Sequence, residues 1–364
     1  MTERETAMQA FLDSAGWGAA DHHPLPGDAS TRRYIRLKRG SNSAMLMDAP
    51  PGAEAPACPP DATHEERVKL GYNALARLAG PNLTAFAGLS DALTQRGFAA
   101  PRILASDIPA GFLLLEDLGD DLVARIVPEP EHEGQIYALA IDVLAALYRS
   151  SFAREVTRDG QVWPVLDYDL TAYRAELSLF LDWYLGQYSG SGVTSEARDA
   201  WDAAWSDALT PVFETPSGLV LRDFHAENLL YRRDCEELAM LGLIDFQDAL
   251  FGHPAYDLVS LLEDARRDVD PGLVAPLKTR FFDKSGLQDR DRFDGDYAVI
   301  GAQRNAKILG IFVRLAKRDG KPGYLDLLPR VARHFVGDLD HPRLAAIKAW
   351  CETYTPNVFK EAQS

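Results

Sequence analysis

Apolar residues recur along the chain at two periods, and the change from one to the other divides the molecule. Ala7, Phe11, Leu12 and Ala15 stand at helical spacing ahead of Gly16 and predict a leading helix over 3–15. Tyr34–Leu37, Ala44–Asp48, Pro101–Ala105 and Gly111–Glu116 are short and rich in β-branched, aromatic or aliphatic residues, so each predicts a strand. Helical stretches at His64–Ala79 and Leu83–Gly97 lie between the second and third of these. Beyond a Glu-Asp-Leu-Gly turn at 116–119 the pattern becomes mostly helical. Ile136, Leu139, Val143 and Leu147 stripe Pro128–Arg149, Thr171–Tyr188 is dense in large apolar residues, and Trp201, Trp205 and Val212 stripe Ser195–Phe213. Aromatic stripes of this kind are first of all core, although Tyr184, Tyr188, Trp201 and Trp205 would also suit a sugar ring.

Three apolar runs of strand length, Leu219–Leu221, Leu229–Tyr231 and Leu241–Ile244, interrupt the helices, and polar residues 232–237 separate the last two as a hairpin turn would. A helix begins at Pro254. Over Gly295–Gly320 the apolar stripe Ile300, Ile308, Ile311, Phe312 and Leu315 is broken by Gln303, Arg304 and Lys307, so a polar group is expected opposite them.

Composition narrows the function classes. The 364 residues carry a formal net charge of −16, which argues against a general role on nucleic acid or anionic membrane, both of which need a basic surface. Cys58, Cys235 and Cys351 are widely spaced and unpaired in sequence, indicating neither a disulfide framework nor a zinc site. Residues 49–61 are Pro- and Ala-rich without apolar period and read as a loop. With no basic, apolar leader and no span-length run, a cytoplasmic protein without an obligate protein partner is expected.

The polar residues at the strand ends carry the chemistry. Phosphoryl transfer needs a carboxylate to orient the attacking hydroxyl, together with an amide oxygen and a second carboxylate to hold Mg²⁺. Asp223, Asn228 and Asp245 supply that set. Arg222-Asp223 followed by Asn228, an apolar hairpin, Asp245-Phe246 and His253-Pro-Ala-Tyr-Asp257 resembles, in order and spacing, the aminoglycoside phosphotransferase and choline kinase family of protein-kinase-like small-molecule kinases. The resemblance implies a two-lobed α+β fold, with a small β-rich N-lobe over 1–117 and a larger, mostly helical C-lobe over 118–364. It implies ATP and Mg²⁺ as cofactors. Asp223 would be the catalytic base, Asn228 and Asp245 the metal ligands, and Arg222 and Asp257 supports of the catalytic loop.

The small-residue loop at 27–31 would cover the phosphates, and Arg32 and Tyr34 would face phosphate and adenine. Glu116 and Leu118 would offer hinge backbone to the base. Glu65, Glu66 and Asp91 are acidic candidates for the αC position. The strand Ala44–Asp48 lacks the family's phosphate-pairing lysine, and Leu221 stands where a histidine is usual.

A narrower pattern, Gly27-Asp-Ala-Ser-x-Arg-Arg-Tyr, Met47-Asp-Ala-Pro, Ile244-Asp-Phe-Gln-Asp and Gln303-Arg-Asn-x-Lys-x-Leu-Gly-Ile-Phe, is similar to the bacterial anomeric sugar kinases of cell-wall recycling. These phosphorylate N-acetylmuramate and N-acetylglucosamine at the C1 hydroxyl. That resemblance implies a small-molecule sugar as partner, contacted by His225, Gln247 and Arg304. Two rivals stay open: a kinase for a cationic aminoglycoside or choline, which would exploit the acidic surface, and a nucleotide-binding pseudokinase, suggested by the missing lysine.

Overall fold

Hydrogen-bond pairing joins the four N-terminal apolar runs and one exposed strand that the sequence reading did not predict, Asp21–Pro24, into one antiparallel sheet. Strands β1 (Asp21–Pro24), β2 (Arg33–Arg39), β3 (Asn42–Asp48), β4 (Ile103–Asp107) and β5 (Phe112–Glu116) lie in the order β1-β2-β3-β5-β4. The computed structural model describes residues 2–26, 32–52, 57–127, 130–190 and 192–364. The expected phosphate-covering loop at 27–31, part of the 49–61 loop and the first residues of the helix expected from Pro128 lie outside the described residues.

Strand alternation turns Leu37, Ala44, Leu46 and Leu114 toward one face, where they pack with Phe11 and Leu12 of helix α1 (Glu3–Ser14) and with Trp17. The strand without the lysine ends instead in Asp48, opposite Arg33 in register. Asp48 is buried and pairs with Arg33 at 2.5 Å and with Arg4 of α1 at 2.6 Å, tying helix to sheet.

The stretch expected as one helix over His64–Ala79 is two short ones, His64–Leu70 and Tyr72–Leu75, because Gly71 adopts φ +93°, a conformation no helix accommodates. Leu83–Thr94 forms as expected. Against it packs a hairpin, Glu155–Arg158 with Gln161–Pro164, that apolar periodicity did not reveal. Its strands are four residues each and largely exposed, too short for a period to register.

Contacts along the backbone group the chain into two compact units. The first comprises Met1–Ile136, Phe152–Leu166 and Glu227–Asp248, and the second Tyr137–Ser151, Asp167–Ala226 and Ala249–Ser364. Residue 117 falls inside the first. The expected hairpin, Leu229–Tyr231 with Leu241–Leu243, belongs to the first unit and pairs Leu229 with Leu243. Gly218–Val220 pairs elsewhere, with Leu250–Gly252 in the second unit.

The second unit is built around a 29-residue helix, Arg290–Arg318. At Gly310 this helix passes so close to the end of helix Leu170–Leu179 that an added Cβ would stand 2.3 Å from the Leu179 carbonyl. The chain then continues through the π-helical turns Phe180–Tyr188. Phe180 stacks on Trp201 at 5.2 Å, and Tyr184, Trp201 and Trp205 are wholly buried, so these aromatics are core; Tyr188 remains exposed.

Candidate active site

The sequence-predicted catalytic residues fall on both units: Asp223 in the second, Asn228 and Asp245 in the first. Each half is a local construction with its own physical cause.

In the second unit, the chain leaves the strand Gly218–Val220 and turns sharply, with Arg222 at φ +73°. A non-glycine residue holds this left-handed conformation only when its surroundings over-determine it. Here Asp257, near the start of helix Ala255–Leu262, accepts from the Leu221 N–H at 2.7 Å and the Arg222 N–H at 2.8 Å. Burial pushes the Asp257 carboxyl up to about 7, against those two N–H bonds. The Arg222 side chain is anchored separately, on the buried carboxylate of Glu176. Two expected supports therefore hold one turn, one through its backbone and one as its side chain.

Asp223 follows that turn and is partly open to solvent. Close packing pushes its carboxyl up, but Lys307, His225, Arg304 and Arg222 more than offset this and hold it below the usual carboxylate range. His225 is buried and, chiefly for that reason, held below its ordinary value; it is neutral at pH 7, which leaves Lys307, Arg304 and Arg222 as the permanent cations near Asp223. Asp223 is thus an ionised carboxylate able to accept a proton at neutral pH.

The interruption in the long helix is not an exposed face. Gln303, Arg304 and Lys307 are all buried, and the polar group opposite Gln303 and Lys307 is Glu176. Glu176 escaped the sequence reading because it is one of several polar residues on the helix Leu170–Leu179 and nothing beside it in the chain marks it as buried; the Gln303/Lys307 break was its only signal. Arg304 donates to the Ser260 hydroxyl at 2.7 Å, while its Nε and second terminal nitrogen have no hydrogen-bond partner among the described residues. Such buried, unmatched donors are costly unless a ligand oxygen meets them.

In the first unit the hairpin Leu229–Tyr231/Leu241–Leu243 fixes the other pair. Asn228 immediately precedes one strand and Asp245 follows the other; the Ile244 N–H donates to the Asn228 carbonyl at 3.2 Å. Asn228 Nδ2 lies 3.4 Å from Asp245 Oδ2, and Gln247 Nε2 donates to Asp245 Oδ1 at 2.9 Å. Asp245 itself sits at φ +62°, and Phe246 is locked by stacking on Phe86 at 4.9 Å. One carboxylate and one amide are a donor set that suits Mg²⁺, which keeps water and phosphate oxygens for its remaining positions. Among the described residues no cluster of three His, Cys, Asp or Glu forms an all-protein metal cage.

The same unit gathers the residues expected at the nucleotide. Burial, and next the Asp245 charge, push the Tyr34 phenol up to about 12, and Arg32 opposes both through its charge and a hydrogen bond. Arg32 is buried and donates to the Gly80 carbonyl at 2.9 Å. Arg32, Tyr34 and Asp245 therefore form one neighbourhood, as a strand period of two implies for the first two. Glu116 pairs with Arg102 at 2.9 Å and Arg232 at 3.2 Å, and Leu118 packs by the hairpin at Gly242. Of the αC candidates, Glu66 closes a capping box on Thr63, Asp91 pairs with Arg158 at 3.0 Å, and Glu65 is exposed in the first turn of its helix.

Comparison with known proteins sets these residues in a wider frame. A profile of the phosphotransferase enzyme family matches residues 21–295. A Caulobacter vibrioides protein named N-acetylmuramate/N-acetylglucosamine kinase is 41% identical over 355 residues, covering 98% of each chain. One of the same name from Pseudomonas aeruginosa is 32% identical over 340 residues, covering 91% of this chain and 88% of its own. Among solved structures, the GDP complex of aminoglycoside 2'-phosphotransferase-IIIa aligns with a TM-score of 0.55 at 14% identity over 93% of this chain and 100% of that one. Choline kinase LicA from Streptococcus pneumoniae aligns at 0.51 and 11% identity, over 91% and 99%. At these identities the structural likeness is one of fold: the α+β architecture is that of small-molecule kinases.

Proposed function

Since the chain belongs to the phosphotransferase enzyme family, we propose that it is an ATP-dependent sugar kinase that phosphorylates the anomeric C1 hydroxyl of N-acetylmuramate and N-acetylglucosamine. The observation that carries this reading is the 41% identity to a kinase of that name along 98% of both chains, in a sequence that carries Asp223, Asn228 and Asp245 at the family's spacing.

In this reading Asp223 accepts the proton of the C1 hydroxyl as its oxygen bonds the γ-phosphorus and the bond to the β-bridging oxygen breaks, releasing ADP and a sugar 1-phosphate. The anomeric hydroxyl is more acidic than an ordinary sugar alcohol, so one ionised carboxylate suffices as base and no covalent enzyme intermediate is required. Asn228 and Asp245 would hold Mg²⁺, which when bound neutralises charge on the phosphates. Gln247 orients Asp245 by its hydrogen bond. Arg32 and Tyr34 serve the nucleotide, with Arg32 taking the role of the missing strand lysine, and Glu116 and Leu118 mark the adenine edge. Arg304, with two unmatched donors, suits the lactyl carboxylate of N-acetylmuramate, and His225 is a further substrate contact.

We place the reaction in the cytoplasm, where ATP is available, as a step in the recycling of cell-wall sugars. Among the described residues no helix is long and apolar enough to cross a membrane. The test is an acceptor screen with ATP and Mg²⁺, reading ADP release. Turnover is expected with N-acetylmuramate and N-acetylglucosamine; turnover confined to aminoglycosides or choline would overturn the substrate assignment.

A further inference from the structure

Inside the second unit, four polar side chains converge on one carboxylate. Glu176 is fully buried; its Oε1 accepts from the Arg222 guanidinium and from Lys307 Nζ at 3.2 Å, and its Oε2 from the Tyr168 hydroxyl and from Gln303 Nε2 at 3.0 Å. Lys307 Nζ donates in addition to the Tyr256 hydroxyl at 2.7 Å. These contacts fix the ammonium between two oxygens. Two cations now face one carboxylate in a region closed to water, and an uncompensated buried charge is strongly unfavourable. The residue that follows Arg222 in the chain is Asp223.

We infer that Lys307, clamped by Glu176 and Tyr256, is a positioning residue for the proposed base: it shares the oxygen that anchors Arg222, and its fixed charge is balanced by the Asp223 carboxylate. The inference rests on the assignment of Asp223 as base. Its support is the convergence of Arg222 and Lys307 on a single Glu176 oxygen, together with the electrostatics around Asp223. The titratable and charged groups acting on Asp223 in this unit are the cations Lys307, Arg304 and Arg222, the carboxyl of Asp257, and His225, which adds positive charge only when protonated. After burial, which pushes its carboxyl up, Lys307 is the largest influence, and it acts downward. Burial is the largest influence on the Lys307 ammonium and acts downward, but Glu176, Tyr256 and Asp223 together outweigh it and hold the ammonium above its ordinary value, so Lys307 keeps its charge.

The deciding experiment compares Lys307→Met, Lys307→Arg and Tyr256→Phe in the full chain, measuring kcat and KM for each substrate and the pH profile of kcat/KM. Methionine fills the lysine stem, and Glu176 retains Arg222, so no carboxylate is left unpaired. Lys307→Met should lower kcat by about 10–100-fold with KM for nucleotide unchanged. Its acid limb should move to higher pH by about one unit, the low end of the range for a carboxylate that loses a nearby opposite charge. Lys307→Arg should restore the wild-type acid limb, and Tyr256→Phe, which removes only one hydroxyl, should move it in the same direction as Lys307→Met by less. An acid limb that stays in place in a folded Lys307→Met variant overturns the inference. If that variant does not fold, an unmoved limb in Tyr256→Phe overturns it. Asp223→Asn is measured alongside. If it retains turnover, the base assignment falls and this inference with it; if it loses turnover while the Lys307 variants keep the wild-type limb, only the role of Lys307 falls.

Discussion

Asp257 makes a sharp prediction because burial and hydrogen bonding pull its carboxyl in opposite directions. In the folded chain the carboxyl stands at about 7 against an ordinary 3.8. Between those values the folded protein holds a proton that the unfolded chain has released, so stability falls as pH rises through the window. At ~1.4 kcal/mol per pH unit, the contribution present below pH 4 and lost by pH 7 comes to ~4 kcal/mol. Asp257→Asn cannot ionise and removes that slope. It also turns an N–H₂ toward one of the two backbone N–H donors at Leu221 and Arg222, which costs about 1–3 kcal/mol at any pH.

The variant should therefore be less stable than wild type by about 1–3 kcal/mol at pH 4.5 and gain on it as pH rises, by ~2–4 kcal/mol at pH 8. Urea unfolding at the two pH values measures this. Other titrating groups are common to both proteins and largely cancel in the difference. A wild-type-minus-variant difference that does not change with pH would refute the argument, because it would mean that the two N–H bonds fully offset the burial of the charge.

Three further outcomes are expected. Asp245→Ala should abolish Mg²⁺-dependent nucleotide binding by calorimetry, since the Asn228 amide alone is a poor substitute for a charged ligand. Gly310→Ala should destabilise the fold by about 1–3 kcal/mol in a thermal or urea melt, because its Cβ would stand 2.3 Å from the Leu179 carbonyl. Arg304→Gln should raise KM for N-acetylmuramate at least 10-fold more than KM for N-acetylglucosamine, since only the former brings a carboxylate to the unmatched nitrogens.

Much of this was legible in the chain because the relevant signals are local. Four of the five sheet strands, the leading helix and the 229–243 hairpin follow from apolar patterns bounded by turns, whereas the exposed strand Asp21–Pro24 carries no apolar signal. Asp223, the proposed base, and the pair Asn228 and Asp245 stood out by spacing on either side of that hairpin. What stayed hidden depends on distant partners. Leu250–Gly252 is three residues long and becomes a strand only by pairing with Gly218–Val220. Gly71 looked like an interior helical residue until its positive φ divided the helix. Glu176 has no neighbour in sequence that explains it; its partners Arg222, Gln303 and Lys307 come from the turn after Gly218–Val220 and the long helix. The acidic αC candidates illustrate the reverse case: Glu66 and Asp91 carry the right charge on helices of the right place, yet their charges serve a cap and a surface pair.

The identity of the product tests the central claim most directly. Incubation with ATP, Mg²⁺ and N-acetylmuramate or N-acetylglucosamine, followed by phosphorus NMR, should show a single sugar phosphate whose resonance is coupled to the anomeric proton. A phosphate coupled instead to the C6 protons, or no sugar phosphate at all while ADP is formed with another alcohol, would contradict it.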